Sequence, residues 1–426
     1  MKREIANLLT EARDRTLLLI SGLSDEDLHQ QHDPLMSPII WDVGHIAHFE
    51  ELWLTRNLDG PIEFSEMPGL YNPFEHPRAA RSSLPLPTLR QMMERLAEIR
   101  RRVLERLESL ELDDRNPLLR GAYVYNMVLQ HEYQHNETIL QTLQLKKGSP
   151  YRAPRAITFT ARAARGNEMV GCAGGRVTIG TDDRTAAYDN ERPRHVRELS
   201  PFEIDRDPVT NARYLEFMHD DGYRREELWS PAGRRWLAQS AAISPQYWTR
   251  EGDAWTTRTM DIVRPVDPAR PVCHVCYYEA EAFAKWDGKR LPTEFEWEVA
   301  ASWDPATGEA RPFPWGAGAD PKRANIDQLA FDTAPVGAID ANVSPIGCRG
   351  MIGDVWEWTS SDFNAYPGFQ SFPYKEYSEE FFGSEYKVLR GGSWATRWGA
   401  IRNTFRNWDY PIRRQIFSGI RCARDG

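Results

Sequence analysis

The chain has 426 residues, 41% hydrophobic and 27% charged, which is enough for two or three domains with separate cores. A net charge of −9 argues against a nucleic-acid partner, because binding a phosphate backbone needs a concentrated basic surface. No apolar run approaches the length of a membrane span, and five cysteines do not make a disulfide framework, so a reducing cytoplasm is the expected compartment.

The first 150 residues predict a bundle of helices. Apolar residues recur at helical spacing, and Ser24 and Ser37-Pro38 are residues that start helices. The charged, amphipathic start of the chain is typical of a helix rather than a signal peptide. Four main helices with one long crossover favour a bundle whose sites are built from inward side chains. The predicted helices cover residues 4–22, a short segment after Ser24, 37–54, 88–110 and 122–147, with a Pro-rich crossing over 60–87.

The second half of the chain has a different composition. Residues 149–166 contain two prolines and no acidic residue, which predicts a linker. From residue 167 onward the pattern changes to short strands, tight glycine-containing turns and two helices, over 279–286 and 293–301. The predicted organisation is therefore a helical domain over 1–148 followed by an α+β domain over 167–426.

The predicted fourth helix carries a candidate metal-binding motif, His131-Glu-Tyr-Gln-His135. Residues four apart share one face of a helix, so both histidines can bind one ion, and the motif matches that of zinc proteases. The downstream acidic ligand and a nearby third histidine of such proteases are absent, whereas His45 on the second helix offers a third imidazole. Glu132, the general base in those proteases, then becomes an ordinary helix residue.

Three imidazoles suit zinc, iron or copper about equally by ligand type. The alternative interpretation is that the three are core or surface histidines. His48, one turn beyond His45, is expected to be a packed or hydrogen-bonded neighbour rather than a ligand.

Longer motifs in both halves resemble known families. The His45 helix, His76-Pro-Arg-Ala-Ala-Arg81 and the His131 motif resemble a DinB-like bundle. The second half resembles the formylglycine-generating-enzyme or sulfatase-modifying-factor fold, a C-type-lectin-like α+β domain, in segments such as Gly353-Asp-Val-Trp-Glu-Trp358 and Arg390-Gly-Gly-Ser-Trp394. In this order, and over nearly the whole chain, the two halves resemble the EgtB family of ergothioneine-biosynthesis sulfoxide synthases.

This resemblance implies a non-haem Fe(II) enzyme that uses O2 to join γ-glutamylcysteine to hercynine (Nα-trimethylhistidine), forming a C–S bond and a sulfoxide. It implies small-molecule substrates, with no nucleic-acid or membrane partner. It further implies these roles: His45, His131 and His135 as iron ligands; Tyr374 as proton donor in oxygen activation; Arg78, Arg81 and Asp409 for γ-glutamylcysteine; and Gln134, Tyr377, Asn407 and Trp408 for hercynine.

Several of these residues also have a purely structural interpretation. Arg78 and Arg81 could be surface charges on a Pro-rich loop, and Trp408-Asp409 could belong to an ion-pair cluster. The stretch from Gly353 is expected to be fold core, with a weak structural calcium site near Asp354 and Glu357. Cys273-His-Val-Cys276 has zinc-knuckle spacing but no second pair, which favours a structural role.

Three alternatives to the γ-glutamylcysteine-dependent synthase are consistent with parts of the sequence. Formylglycine-generating enzymes place reactive cysteines shortly after the Gly-Gly-Ser-Trp motif, but residues 395–414 contain none, which argues against copper-dependent sulfatase activation. A related synthase could use free cysteine or a selenosugar as donor, although Arg78, Arg81 and Asp409 together favour the dipeptide. The presence of all three histidines and Tyr374 argues against an inactive binding module.

Overall fold

The computed structural model of the chain describes residues 1–59, 69–154, 157–160, 163, 166 and 168–426. The chain forms two compact units. The helical unit contains Met1–Arg152, Asp183–Tyr188 and Phe372–Tyr374, and the mixed unit contains Ala153–Asp182, Asp189–Ser371 and Lys375–Gly426. The two later segments of the helical unit were not predicted. Part of the predicted linker (155, 156, 161, 162, 164 and 165) and part of the predicted crossing (60–68) lie outside the described residues, and the predicted domain limits stay a prediction.

The helical unit confirms the predicted helices to within a few residues at each end. Thr88 caps its helix with a capping box, and the helix ends at Ser109, close to the predicted limit. Ser24 forms a second capping box. The helices are α1 (Lys2–Ile20), α2 (Asp25–His29), α3 (Ile39–Glu51), α4 (Asn57–Asp59), α5 (Leu89–Ser109) and α6 (Tyr123–Gln144), with a π-helical turn over Leu52–Arg56 and 3-10 turns over Arg78–Ser83 and Arg120–Ala122.

Helix α3 is the central element of the helical unit. Every residue from Ile39 to Glu50 is buried, and α3 packs against both α5 and α6. Helix α5 presents an apolar stripe at helical spacing: Met92, Leu96, Ile99, Val103 and Leu107. Because α3 is buried all round, its polar residues lie inside the bundle, which is where a site built from inward side chains is expected.

In its described residues the mixed unit contains four α-helices, two of them missed from the sequence, and several small sheets. The predicted helices over 279–286 and 293–301 are confirmed as α9 (Tyr277–Trp286) and α10 (Glu294–Ser302), whereas α7 (Asn211–His219) and α8 (Pro231–Ser240) were not predicted. The strands are β1 (Met169–Cys172), β2 (Gly175–Ile179), β3 (His195–Leu199), β4 (Phe202–Asp205), β5 (Trp248–Glu251), β6 (Ala254–Thr259), β7 (Ile262–Pro265), β8 (Trp303–Asp304), β9 (Glu309–Ala310), β10 (Trp356–Phe363), β11 (Gly383–Arg390), β12 (Asn407–Asp409), β13 (Ser418–Gly419) and β14 (Ala423–Asp425).

The largest described sheet has the strand order β12-β11-β10-β13. Its neighbours β12-β11 and β11-β10 are antiparallel, whereas β10 and β13 are parallel. The others are β1-β4-β14, β5-β6-β7, β2-β3 and β8-β9. Strand β12 lies at the sheet edge, with Trp408 opposite Val388 of β11.

Buried ion pairs account for many charged residues of the second-half motifs. Arg390 bonds Glu298 at 2.6 Å, and Arg406 bonds Glu294 at 2.7 Å, with all four side chains almost fully buried. A buried charge is tolerated when it is paired in this way. These pairs are part of the core of the mixed unit. The stretch after Gly353 is also core, as predicted, because Val355, Trp356 and Trp358 are buried.

The two residues of the predicted calcium site are engaged with protein donors. Glu357 accepts from Arg421 Nε at 2.8 Å and from the Trp297 indole at 2.6 Å. Asp354 accepts from Asn325 and from the backbone N–H of Ala334, both at 2.7 Å. Protein donors thus occupy both oxygens of Glu357 and Oδ1 of Asp354, and the geometry adds no support for calcium.

None of the helices in the described ranges is long and apolar enough to cross a lipid bilayer.

Candidate metal centre

Three histidines from two helices form the one group of metal-ligating side chains found close together in the described part of the chain. His45 comes from α3, and His131 and His135 come from α6. One ligand atom of each lies within 4.8 Å of the others. The Nε2 atoms of His45 and His131 are 3.2 Å apart. Two nitrogens that each lie about 2.1 Å from one ion are about 3 Å apart, so this separation fits a shared metal.

The helical spacing of the motif gives this arrangement its two neighbouring ligands. His131 and His135 lie four residues apart on α6, and their ring centroids are 4.5 Å apart. Glu132 is buried and accepts from Arg13 Nε at 2.9 Å and from the Thr16 hydroxyl at 2.7 Å. The glutamate of the motif is thus committed to the helix packing, and it is not positioned as the general base of a protease.

His45 is oriented by the backbone of the crossing segment of the helical unit, at Tyr71. Its Nδ1 lies 2.9 Å from the Tyr71 carbonyl oxygen. Tyr71 can approach because residue 44 is glycine: a Cβ there would lie 2.2 Å from the tyrosine ring. A hydrogen on Nδ1 that bonds a carbonyl leaves Nε2 with its lone pair, which is the tautomer that a metal ligand needs.

The local electrostatics keep two of these imidazoles neutral. Burial lowers the pKa of His45 well below its usual value, and the neighbouring His135 lowers it further. Burial likewise lowers the pKa of His131, with additional effects from His135 and His45. A neutral imidazole is the metal-binding form, so both residues fit the role that the sequence predicts for them.

Aromatic rings cover two of the three histidines. Phe49 stacks on His131 with ring centroids 3.7 Å apart and planes 9° from parallel. Trp41 stacks on His45 at 5.0 Å, also at 9°. Both come from α3, and Phe49 is one turn after His45. These rings restrict the orientations of the imidazoles and exclude water from one face of each.

Tyr374 lies beside this aromatic wall. It is 9% exposed, and it belongs to the short segment Phe372–Tyr374 of the helical unit. Its ring stacks on Trp53 at 5.3 Å and meets Phe49 edge-on at 6.2 Å. Trp53 lies on the π-helical turn that follows α3. Phe49 therefore contacts both the predicted catalytic tyrosine and the predicted ligand His131.

Gln134, predicted to contact hercynine, is partly buried next to the ligand motif. Its side-chain amide donates to the Tyr188 hydroxyl at 2.7 Å. Tyr188 is buried and belongs to the other added segment of the helical unit, Asp183–Tyr188.

The two predicted donor-binding arginines have different environments. Arg81 is 5% exposed, donates to the Ser37 hydroxyl at 2.7 Å and to the His76 carbonyl at 2.8 Å, and stacks over Trp41. Arg78 is exposed and donates to the Leu35 carbonyl at 3.1 Å. Arg81 is therefore buried and hydrogen-bonded to the protein, whereas Arg78 is exposed.

The remaining predicted substrate residues lie in the mixed unit. Asn407, Trp408 and Asp409 form the edge strand β12. Trp408 stacks on Phe363 at 4.1 Å, and Tyr377 meets it edge-on at 5.6 Å. Asp409 pairs with Arg413 at 3.3 Å, which agrees with the structural interpretation of this stretch. The structure thus brings together two of the four predicted hercynine residues, Tyr377 and Trp408.

Five neighbours of the site were missed by sequence reasoning: Asp42, Phe49, Trp53, Tyr71 and Tyr188. Helical spacing could have found two of them, because Asp42 and Phe49 lie one turn before and one turn after His45. Tyr71 and Tyr188 lie outside the long helices, and only the tertiary structure brings them to the site.

Comparisons with known proteins match both halves. Residues 8–139 match the DinB superfamily, and residues 155–426 match the sulfatase-modifying factor enzyme 1-like domain. The solved structure of PvdO from Pseudomonas aeruginosa aligns with a TM-score of 0.43 and 23% identity, covering 64% of this chain and 100% of that chain.

Curated relatives match over the full length. The hercynine oxygenase of Mycolicibacterium thermoresistibile is 44% identical, with 100% of this chain and 95% of the relative covered. That of Mycolicibacterium smegmatis is 43% identical, with 100% and 99% covered. The chain therefore belongs to the hercynine oxygenase family, and it is an oxygenase that combines a DinB-like helical domain with a sulfatase-modifying-factor-like domain.

Proposed function

We propose that this chain is a non-haem Fe(II), O2-dependent sulfoxide synthase of ergothioneine biosynthesis. It joins γ-glutamylcysteine to hercynine and gives γ-glutamyl-hercynylcysteine sulfoxide. The observation that carries the proposal is the histidine triad, with all its ligand atoms within 4.8 Å of one another, in a chain whose full length matches hercynine oxygenases.

The donor set fits iron. His45 and His131 are neutral because burial lowers their pKa, and three neutral nitrogen donors leave the charge of a bound cation uncompensated. Iron held there supplies one-electron redox chemistry and open coordination positions for O2 and the sulfur substrate. The protein contributes fixed ring orientations, since the Tyr71 carbonyl holds His45 and Phe49 lies flat on His131.

Tyr374 holds a transferable proton next to this centre. Its ring is held by Trp53 on one side and faces Phe49, which itself covers His131. A phenol keeps its proton at neutral pH and can donate it where negative charge develops. We assign Tyr374 as the proton donor on this basis.

Hercynine carries a trimethylammonium group, which offers no N–H to a hydrogen-bond acceptor. Such a group is recognised by aromatic faces and edges. Trp408 and Tyr377, in contact with each other, provide aromatic surface, and Asn407 precedes Trp408 on β12. Gln134 provides a polar contact beside the ligand motif. These four residues form the proposed hercynine set.

The donor assignment rests on Arg78, Arg81 and Asp409. A guanidinium binds a carboxylate through two parallel hydrogen bonds, and the exposure of Arg78 supports its proposed role in binding the donor. Arg81 already donates to the Ser37 hydroxyl and to the carbonyls of His76 and Pro73, and we propose that it binds the donor in addition to these contacts. This commitment of Arg81 keeps free cysteine or a selenosugar as the second candidate donor.

Mass-spectrometric product analysis tests the proposal. The purified chain, loaded with Fe(II), is supplied with hercynine, O2 and one of three donors: γ-glutamylcysteine, cysteine or a selenosugar. We expect the dipeptide sulfoxide as the main product, and none from His131→Ala, which should also take up no iron. Faster turnover with either other donor would reassign the substrate, and full iron uptake by His131→Ala would overturn the metal centre.

We infer a reducing compartment, the cytoplasm, from the cysteines. None of the five, all of which lie in the described residues, forms a disulfide, and four of them are buried. Burial raises the pKa of Cys276, Cys348 and Cys422, which keeps these thiols protonated and unreactive. A cytoplasmic fraction devoid of the protein in its native host would contradict this inference.

A further inference from the structure

Asp42 is a buried carboxylate that the proposed function leaves without a role. It lies on α3, three residues before His45, and is 1% exposed. Its Oδ1 lies 3.6 Å from Nδ1 of His135. Among the described residues, neither Nδ1 of His135 nor Oδ2 of Asp42 has a hydrogen-bond partner. Two complementary buried groups thus face each other slightly beyond hydrogen-bond distance.

We propose that Asp42 is a positioning residue of the metal centre, whose carboxylate accepts a hydrogen bond from Nδ1 of His135 and turns Nε2 of that ring toward His45 and His131. This inference rests on the metal centre of the proposed function.

The arrangement at His45 supports this assignment. There the Tyr71 carbonyl lies 2.9 Å from Nδ1, and Nε2 faces His131. A metal-bound histidine commonly donates its other N–H to a carbonyl or a carboxylate, which fixes its tautomer and raises its basicity. Asp42 stands in the same relation to His135. Its Oδ1 lies 3.6 Å from Nδ1 of His135, and a small rotation of the ring would bring the two atoms to hydrogen-bond distance.

Asp42 is not itself part of the ligand group. The group whose ligand atoms all lie within 4.8 Å of one another contains the three histidines and no carboxylate. Its negative charge therefore acts through His135. That charge matters because three neutral donors leave a bound cation uncompensated, and a carboxylate behind one ligand stabilises it.

Arg81 balances the buried carboxylate. Burial lowers the pKa of the Arg81 guanidinium to about 10, and the charge of Asp42 acts in the opposite direction. Arg81 in turn stacks over Trp41, the neighbour of Asp42 that covers His45. Asp42 thus has a nearby cation, and among the described residues its Oδ2 has no hydrogen-bond partner.

A simpler explanation is that Asp42 only stabilises the start of α3. An acidic residue in the first turn interacts favourably with the helix dipole, which is worth about 0.3–1 kcal/mol. If that is its whole role, replacing Asp42 should change the free energy of unfolding slightly and leave the metal affinity unchanged. If Asp42 positions His135, replacing it should lower the metal affinity, so a measurement of affinity separates the two roles.

The test is a titration of the metal-free, full-length chain with Co(II), followed by its visible absorption and by calorimetry. The wild type should bind one Co(II) per chain. Asp42→Asn, which keeps the shape but removes the charge, should bind about 10- to 100-fold more weakly. Asp205→Asn removes another buried carboxylate, one that bonds Lys289 in the mixed unit, and should leave the affinity unchanged.

Asp42→Asn affinity within about twofold of the wild type would overturn the positioning role, because losing this partner normally costs tenfold or more. A wild type that binds no Co(II) would instead overturn the metal centre, and Asp42 would lose its role with it. Should Asp42→Asn fail to fold, nitrogen NMR of the wild type with labelled histidine and Zn(II) decides the question. The expected signal is a protonated Nδ1 on His135, whereas metal bound through Nδ1 would exclude the proposal.

Discussion

Each imidazole of the proposed metal centre has a different neighbour. A backbone carbonyl holds His45, an aromatic ring covers His131, and a carboxylate faces His135. Ligand geometry must be held within about 0.5 Å for a site to work, and side-chain packing provides that precision.

Removing the hydroxyl of Tyr374 should separate its chemical role from its packing. Tyr374→Phe keeps the ring against Trp53 and Phe49 but lacks the proton. We expect loss of the sulfoxide product, with thiol oxidation as the remaining oxygen-dependent reaction, and unchanged Co(II) affinity. Mass spectrometry measures the two products, and titration measures the Co(II) affinity.

The matched control is Tyr386→Phe, which removes a hydroxyl that bonds Tyr410 on the mixed unit. It should retain the wild-type product. Wild-type product and rate from Tyr374→Phe would show that this tyrosine serves only for packing.

His274 should make the metal-free protein less stable in mild acid. Burial lowers its pKa from 6.5 to about 4, and it is 6% exposed. The pKa of His274 is lower in the folded than in the unfolded protein. Its contribution to the free energy of unfolding is therefore complete above pH 6.5 and is lost as the pH falls toward 4. The loss amounts to about 3 kcal/mol, at about 1.4 kcal/mol per unit.

Urea unfolding at several pH values, followed by tryptophan fluorescence, measures this dependence. His274→Asn should reduce the slope between pH 6.5 and 4 without abolishing it, because burial also lowers the pKa of His45 and His131. Asparagine tolerates the positive φ of 66° found at this position. His219→Asn, at an exposed position on α7, should leave the slope as in the wild type. An equal slope in all three proteins would contradict the assignment.

At the scale of single residues, the sequence indicated the three proposed ligands but not the residues that contact them. His131 and His135 were predictable because helical periodicity alone places them on one face. The contact between the Tyr71 carbonyl and His45 comes from a loop residue, and it requires the close approach of Tyr71 to Gly44. No periodic sequence pattern encodes such an approach. Arg81 shows the opposite case: its residue type fits a carboxylate, but its burial commits it to protein acceptors.

Four helices of the helical unit meet in one buried ion-pair network. Arg13 of α1, Glu50 of α3, Arg100 of α5 and Glu132 of α6 are joined by contacts of 2.6 Å (Arg13–Glu50), 2.9 Å (Arg13–Glu132) and 2.7 Å (Arg100–Glu50). Two positive and two negative charges balance one another. Burial alone would raise the pKa of Glu132, but Arg13 and Arg100 outweigh it and lower that pKa.

This network fixes the rotation of the ligand-bearing helices. Glu132 directly follows His131, and Glu50 directly follows Phe49. Removing Arg13 leaves the two buried carboxylates of Glu50 and Glu132 with the single positive charge of Arg100 between them. Breaking a buried ion pair typically costs about 3–5 kcal/mol. We therefore expect Arg13→Met to lower the free energy of unfolding by an amount of this order in urea titrations followed by far-ultraviolet circular dichroism.

The exposed pair of Arg101 and Glu105 on α5 provides the control. Arg101→Met should leave the unfolding free energy unchanged, because water screens such pairs. A loss for Arg13→Met no larger than that of Arg101→Met would show that the buried network does not stabilise the bundle.

At the scale of elements, long periodic helices were predictable and short ones were not. The apolar stripe and capping box of α5 gave its limits nearly to the residue. Helix α8 has a Ser230 cap followed by Pro231, a signal that was present but missed among irregular neighbours. The π-helical turn that positions Trp53 follows from tertiary packing and has no sequence pattern of its own.

At the scale of the whole molecule, the proposed reaction draws on residues of both units. The three ligands and Tyr374 belong to the helical unit, whereas Tyr377, Asn407, Trp408 and Asp409 belong to the mixed unit. Composition predicted a change of fold between the halves. The order of the two domains and their joint activity could be inferred only from the longer motifs, because strand and turn patterns did not specify the second fold.

Trp408 provides the sharpest test that both units contribute to one activity. Trp408→Ala removes an aromatic surface that stacks on Phe363 and contacts Tyr377. Aromatic recognition of a quaternary ammonium is worth about 0.5–2 kcal/mol, so the KM for hercynine should rise by about 2- to 30-fold. The affinity for Co(II) should stay unchanged, because all three ligands lie in the helical unit.

Trp315→Ala is the control, since Trp315 also stacks on a phenylalanine of the mixed unit, Phe313 at 5.4 Å. It has no proposed contact with substrate, and its KM for hercynine should match the wild type. Steady-state kinetics with varied hercynine measures all three proteins. An unchanged KM in Trp408→Ala would remove the mixed unit's edge strand from the substrate site, while a parallel loss of Co(II) affinity would mean that Trp408 supports the metal centre instead.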